Sequence, residues 1–184
     1  MRSPAILLAL ALALTGCGGI QSTSSFGDVP LVLGDTPGAD EAGVFLATAR
    51  GYDEAEGVTL NVARSGDADF RLVSTPPRGC VVVMAIVRPA KLVLCADEVT
   101  LQDERPKVLA VVRALSRGYT QAQLEPDEAV SAMTGQVPGL DRDQLSTELD
   151  KVAPTWTAGA PYFGELSAGP GRDPTVVPDA RKEN

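Results

Sequence analysis

The sequence predicts an α/β domain, a mixed sheet flanked by helices, and two observations carry that expectation. Short apolar runs bounded by turn residues recur through the first half of the chain; two of them, Cys80–Val87 and Leu92–Cys95, are apolar on both faces. Such runs suit strands buried within a parallel or mixed sheet. The second half changes period. Val108, Val111, Val112, Leu115 and Tyr119 fall at i, i+3, i+4, i+7 and i+11, which draws one apolar stripe along a helix. The resulting order is strand, helix, four strands, then helices, the pattern of a sheet that buries its faces under helices.

The N-terminus reads as a targeting segment. Arg2 supplies a positive charge, Ala5 to Leu14 is an unbroken apolar run, and Leu14-Thr15-Gly16-Cys17 follows. This is a secretory pattern over residues 1–16, and the run is too short for a membrane span, which needs about 20 apolar residues. The tetrapeptide resembles the bacterial lipobox, whose Cys becomes the lipid-modified first residue. The alternative is an ordinary cleaved signal with an incidental Cys. Gly18, Gly19 and the Ser/Thr tract 22–25 favour the lipobox, because they extend a flexible tether over 17–28. The expected localisation is the extracytoplasmic face of the cell membrane, with the chain lipid-anchored through Cys17.

The domain is expected over 29–166. Leu31–Leu33 opens it as a strand, and a turn-rich stretch follows. Asp40 is the expected N-cap of a helix over about 41–55. Thr59–Ala63 and Asp69–Val73 read as strands separated by a turn at Ser65-Gly66-Asp67. After the two apolar strands comes the helix with the 108–119 stripe, which should end near Gly118. A short helix follows over Asp127–Met133, then a third around Leu145, Leu149 and Val152 that starts near Asp141 or Asp143. The Gly- and Pro-rich, polar stretch 167–184 is expected to be disordered.

Composition excludes several classes of function. A net charge of −8 argues against nucleic acid, which needs a basic face. The chain contains no histidine, so the commonest metal ligand and general base are both missing. The sequence shows no metal-ligand spacing, no phosphate-binding glycine loop and no nucleophile with an activating base. The expectation is a protein that is not an enzyme and carries no cofactor. Cys80 and Cys95 either pair as a disulfide, which suits an extracytoplasmic protein, or remain two buried small apolar side chains.

The order of the motifs carries a family resemblance. The stretch 31–47 has a strand, a Thr36-Pro37 loop and a helix. It is followed by Arg50-Gly51-Tyr52, an acidic run ending at Gly57, Asp67-Ala68-Asp69-Phe70 leading to Ser74, and Met84–Pro89. Leu92–Asp97, the core 113–119 and 126–130 continue it. Together they resemble ABC-transporter substrate-binding proteins of the group that captures thiamine-pyrimidine precursors, riboflavin and alkylsulfonates. These have the type 2 periplasmic-binding-protein fold. The resemblance spans about residues 29–166 and implies a small-molecule solute, with an ABC permease and ATPase as partners. Such proteins are about twice as long and close two lobes around the ligand. Here only Arg88-Pro89-Ala90 connects the strands at 80–87 and 91–95, so most of the second lobe and the final helix after about 172 are expected to be missing. The aromatic and His of the pyrimidine-binding members are matched by Asp35 and Glu41.

Ligands of open α/β sheets lie outside the carboxyl ends of the strands. That rule selects 34–41, 64–67, 74–78 and 88–89 as the rim. Within it, Asp35, Thr36 and Glu41 offer acceptors for a ligand amine or hydroxyl, with Pro37 in the same ligand-binding loop, although a turn and helix capping alone also account for acids there. Ser65, Gly66 and Ser74 offer hydroxyls and backbone N–H groups, and turn chemistry explains them equally well. Arg88 either faces the cleft from the hinge side, the reading favoured here, or is a solvated connection residue before Pro89. Trp156 and Tyr162 either line a pocket or cover the sheet.

Overall fold

Each apolar run becomes a strand. In the computed structural model, which describes residues 25–34, 37–88 and 91–182, these are β1 (Gly27–Val32), β2 (Val58–Ala63), β3 (Phe70–Val73), β4 (Cys80–Val87) and β5 (Leu92–Asp97). They form one sheet in the order β2-β1-β3-β5-β4. β1 is parallel to β2 and β3, and β5 is antiparallel to both of its neighbours. β1 to β4 therefore point the same way, and their carboxyl ends share one edge.

Register explains two unusually short links. β2 ends opposite Val32, and β3 begins opposite Leu31. Residues 64–69 thus step sideways past β1 with almost no return along the strand direction, so the crossover of a dozen or more residues that parallel neighbours require is unnecessary. The link between β4 and β5 is short because the pair is antiparallel, an arrangement that needs no crossover.

One face of the sheet packs on helices. Val29, Leu31 and Leu33, Leu60, Phe70 and Leu72, and Met84 and Ile86 join the core formed with Val108, Val111, Val112 and Leu115. The last four lie on α4 (Arg105–Leu124). Two register shifts in β4 divide its continuous apolar run between the two faces. Val82 and Ala85 belong to a smaller cluster with Val93, Cys95 and Leu166. On that second face Cys80 and Cys95 form a disulfide with Cα atoms 5.6 Å apart.

The remaining helices are α1 (Ala42–Ala49), α2 (Tyr52–Ala55), α3 (Glu98–Asp103), α5 (Pro126–Gln136), α6 (Arg142–Val152) and α7 (Val176–Lys182). α1 crosses α4 closely because both carry glycine at the contact. A Cβ at Gly118 would stand 2.7 Å from Ala47 Cβ and closer still to the Gly43 carbonyl.

Several expectations are corrected. The expected disordered tail over 167–184 is ordered through its described part, 167–182: α7 occupies 176–182, with Val176, Val177 and Ala180 buried. Arg105 holds it through Asp173 at 2.9 Å and Asp179 at 2.9 Å. A final helix after 172 is therefore present. The helix expected over 41–55 is broken at Gly51, whose φ of 64° lies in the left-handed region that glycine tolerates. Asp40 is no N-cap; it lies in a 3₁₀ turn over Ala39–Glu41. Gly118 is interior to α4, α3 was not foreseen, and the last two residues of the expected tether belong to or abut β1. Asp53, in the acidic run before Gly57, is buried and accepts a hydrogen bond from the Leu60 amide at 3.0 Å. The expected leader 1–16, the expected lipid-attachment residue Cys17, and Asp35 and Thr36 lie outside the described residues. No helix among the described residues is long and apolar enough to cross a membrane.

Candidate functional site

The carboxyl-end edge carries a cleft of about 390 Å³. Its polar lining comes from Asp40, Glu41, Ser74 and Thr75, with Gly34 and Gly38 beside them and Leu72, Val73 and Leu92 supplying apolar wall. Topology assembles it. β1 and β3 are neighbours, so Gly34 and Gly38 after β1 and Ser74 and Thr75 after β3 meet there. β5 enters the sheet at the same edge with Leu92.

Glu41 is buried, and its carboxylate accepts from Arg64 at 2.8 Å. The same guanidinium donates to the Gly34 carbonyl at 2.8 Å, which ties the β2 exit to the β1 exit. Burial raises the Glu41 pKa above its ordinary value despite the opposing help of Arg64 and the Gly34 backbone. Desolvation wins because a partly buried carboxylate loses more hydration than one ion pair restores. Asp40 is also raised, first by burial and then by repulsion from Glu148. Two adjacent acids whose ionised forms are disfavoured in a strand-end cleft are the kind of perturbation that marks functional sites. In chemical terms the cleft presents acceptors to a donor-bearing ligand.

Of the residues singled out in the sequence, Glu41 and Ser74 meet in this cleft. Pro37 lies partly buried in the β1 exit loop but does not line it. Ser65 and Gly66 are exposed in the β2–β3 link, and the Gly66 carbonyl accepts from Arg71 at 3.0 Å. They do not reach the cleft. The expectation for Arg88 is corrected: its guanidinium is engaged by the Glu165 backbone and carboxylate instead of facing the cleft. Trp156 is fully buried, 4.9 Å from Tyr119 edge to face, so it packs the core. Asp40 and Arg64 were not picked as site residues. The carboxyl-end rule had placed both within the rim ranges, but only the packed structure reveals that one is destabilised by burial and the other neutralises Glu41. No group of residues that could hold a metal ion occurs among the described residues.

No family model and no curated protein matches the chain. A solved structure does match: a Candida albicans gene product, CA3427, described as defining a new family of proteins with the generic periplasmic binding protein structural fold. The alignment has a TM-score of 0.54 at 8% sequence identity and covers 85% of this chain and 88% of that one. At this identity the likeness concerns the fold alone. With its five-stranded mixed sheet flanked by helices, this chain has a periplasmic-binding-protein-like α/β fold.

Proposed function

We propose that this chain binds a small organic solute at the carboxyl-end cleft, outside the cytoplasm, as a lipid-anchored component of an ABC import system. The observation that carries this reading is the cleft, where Asp40 and Glu41 are held with their charged forms disfavoured at the sheet edge where such folds take ligands. The lipobox-like Leu14–Cys17, the motif order over 29–166 and the disulfide support the compartment and the transport setting. In this reading the chain is a binder and not a catalyst, its partners are a permease and an ATPase, and Cys17 holds it to the membrane. Among the solute classes implied by the motifs, the acceptor-rich lining favours those with N–H and O–H donors, an aminopyrimidine or a flavin, over a sulfonate.

Binding should be weak. Ligand pockets usually bury about 70–90% of a ligand between their walls, and the described residues form one sheet and hence one wall. Calorimetric titration of the purified domain with an aminopyrimidine, riboflavin and an alkylsulfonate tests this. The expected result is one-to-one binding of a donor-bearing solute no tighter than micromolar, about −8 kcal/mol, weakened at least tenfold by Asp40→Asn. Absence of heat at millimolar solute, or affinity indifferent to Asp40, would overturn it. A second reading, a lipoprotein that has lost solute capture and serves as a structural or protein-interaction module, draws on the same single wall and is the one left standing by absence of heat.

A further inference from the structure

A second cavity, on the sheet face away from the main helical core, has the opposite electrostatic character to the rim. It is a solvent-open cavity of about 510 Å³ whose lining includes Arg78 and Arg172 and no acidic side chain. The chain as a whole carries 24 acidic against 16 basic residues, and a neighbouring cavity that also reaches Arg78 is lined by Asp67, Asp69 and Asp97, so the acid-free lining here is local.

The partners of the other arginines sharpen the contrast. Arg50, Arg64, Arg88 and Arg105 are ion-paired, as is Arg113. Arg71 and Arg142 donate hydrogen bonds. Arg117 and Arg181 lie over the rings of Tyr52 and Tyr162. Among the described residues, Arg78 and Arg172 are the two guanidiniums left without any such partner, and both line this one cavity.

Their positions are set by the fold. Arg78 is carried on the turn between β3 and β4, next to Cys80 of the disulfide. Arg172 is brought to the same cavity because its neighbours Gly171 and Asp173 bond to Val82, the Val82 amide donating to Gly171 at 2.9 Å and the Asp173 amide donating to Val82 at 2.9 Å. The same lining includes the apolar side chains of Val82 and Val93 beside the hydroxyl-bearing Ser74. A guanidinium presents a planar fork of donors suited to an oxyanion, and the volume falls within the roughly 300–1,000 Å³ of small-ligand sites.

We infer that this cavity binds a small organic anion, a carboxylate or sulfonate whose charged end is held between Arg78 and Arg172 and whose apolar body rests on Val82 and Val93. The site is separate from the carboxyl-end cleft, and only Ser74 lines both.

Backbone amide NMR with hexanesulfonate, methanesulfonate and hexylammonium as probes tests the inference. Hexanesulfonate should shift the amides of Gly79, Gly171 and Arg172 in a saturable way, bind at least tenfold more tightly than methanesulfonate, and weaken as salt rises. Hexylammonium should leave those amides unmoved. In the double variant Arg78→Ala/Arg172→Ala, whose changes are confined to exposed side chains, hexanesulfonate affinity should fall at least tenfold while the remaining amide spectrum stays native. Equal binding by the double variant, equal response to hexylammonium, or shifts confined to Gly38 and Glu41 would overturn it. The last result would leave a solute site at the rim intact, so the two readings fail separately.

Discussion

Tyr119 links the helical layer to the candidate site. Its side chain is fully buried, its hydroxyl donates to the Asp40 carbonyl at 2.8 Å, and its ring stacks on Phe163 at 4.9 Å. Burial pushes its phenol well above the ordinary value, with Glu41 and Asp40 adding to the effect. The stabilisation that goes with a raised pKa is complete below the unfolded value, about 10, and is lost as pH climbs beyond it, because the unfolded chain releases the proton first. Tyr119→Phe should cost about 0.5–1.5 kcal/mol at neutral pH and should flatten the stability loss between about pH 10 and 11, read by urea unfolding at each pH. If both proteins lose stability equally there, the hydroxyl is not the titrating group. Gly118 makes the opposite demand, for the absence of a side chain. Gly118→Ala should destabilise by about 1–3 kcal/mol through overpacking against α1, although alanine is the better helix former; unchanged urea stability would mean that α1 shifts freely. In the sequence Gly118 reads as a helix terminus, since nothing local indicates that another backbone lies against it.

At the scale of elements, β4 and β5 form the most strongly fastened unit, joined by their ladder and by the Cys80–Cys95 disulfide. The two cysteines are 15 residues apart, and a loop of that size corresponds to about 3 kcal/mol of restriction on the unfolded chain. Replacing both with serine, or adding reductant, should lower the free energy of unfolding by roughly that amount, seen as a lower urea midpoint with a native spectrum. An unchanged midpoint would show that the bond constrains nothing the ladder does not already hold. The bond also sits beside the cationic cavity, so its loss should loosen the turn that presents Arg78. The strand pair itself was legible, because two apolar runs separated by a short link admit only an antiparallel arrangement. The pairing of the cysteines was not, because sequence spacing does not say whether two residues face the same side of a sheet. α7 escaped the reading for a related reason. Its few apolar residues are too sparse to draw a periodic stripe, and its burial comes from partners in α4 and β4 far away in the chain.

For the molecule as a whole, the main core is continuous. Side chains from β1 to β5, from α1 and from α4 to α7 belong to one cluster, so the described domain should unfold in one cooperative step. Coincident transitions by near-ultraviolet signal, which reports Trp156, and by far-ultraviolet signal would bear this out, whereas a separate early transition would mean that the C-terminal segment is a unit of its own. The same continuity explains why so much of the architecture could be read from the chain. Runs apolar on both faces, a helical stripe over 108–119 and turn residues between them each admit few structures, and together they require a sheet covered by helices. These are local properties, written in side-chain period and backbone preference. What only tertiary structure decided is which distant groups share a space: Arg64 beside Glu41, Tyr119 beneath Asp40, Arg78 in one cavity with Arg172. Charge and burial act through space, so the chemistry of both cavities depends on register and packing, which bring together residues that the chain itself keeps far apart.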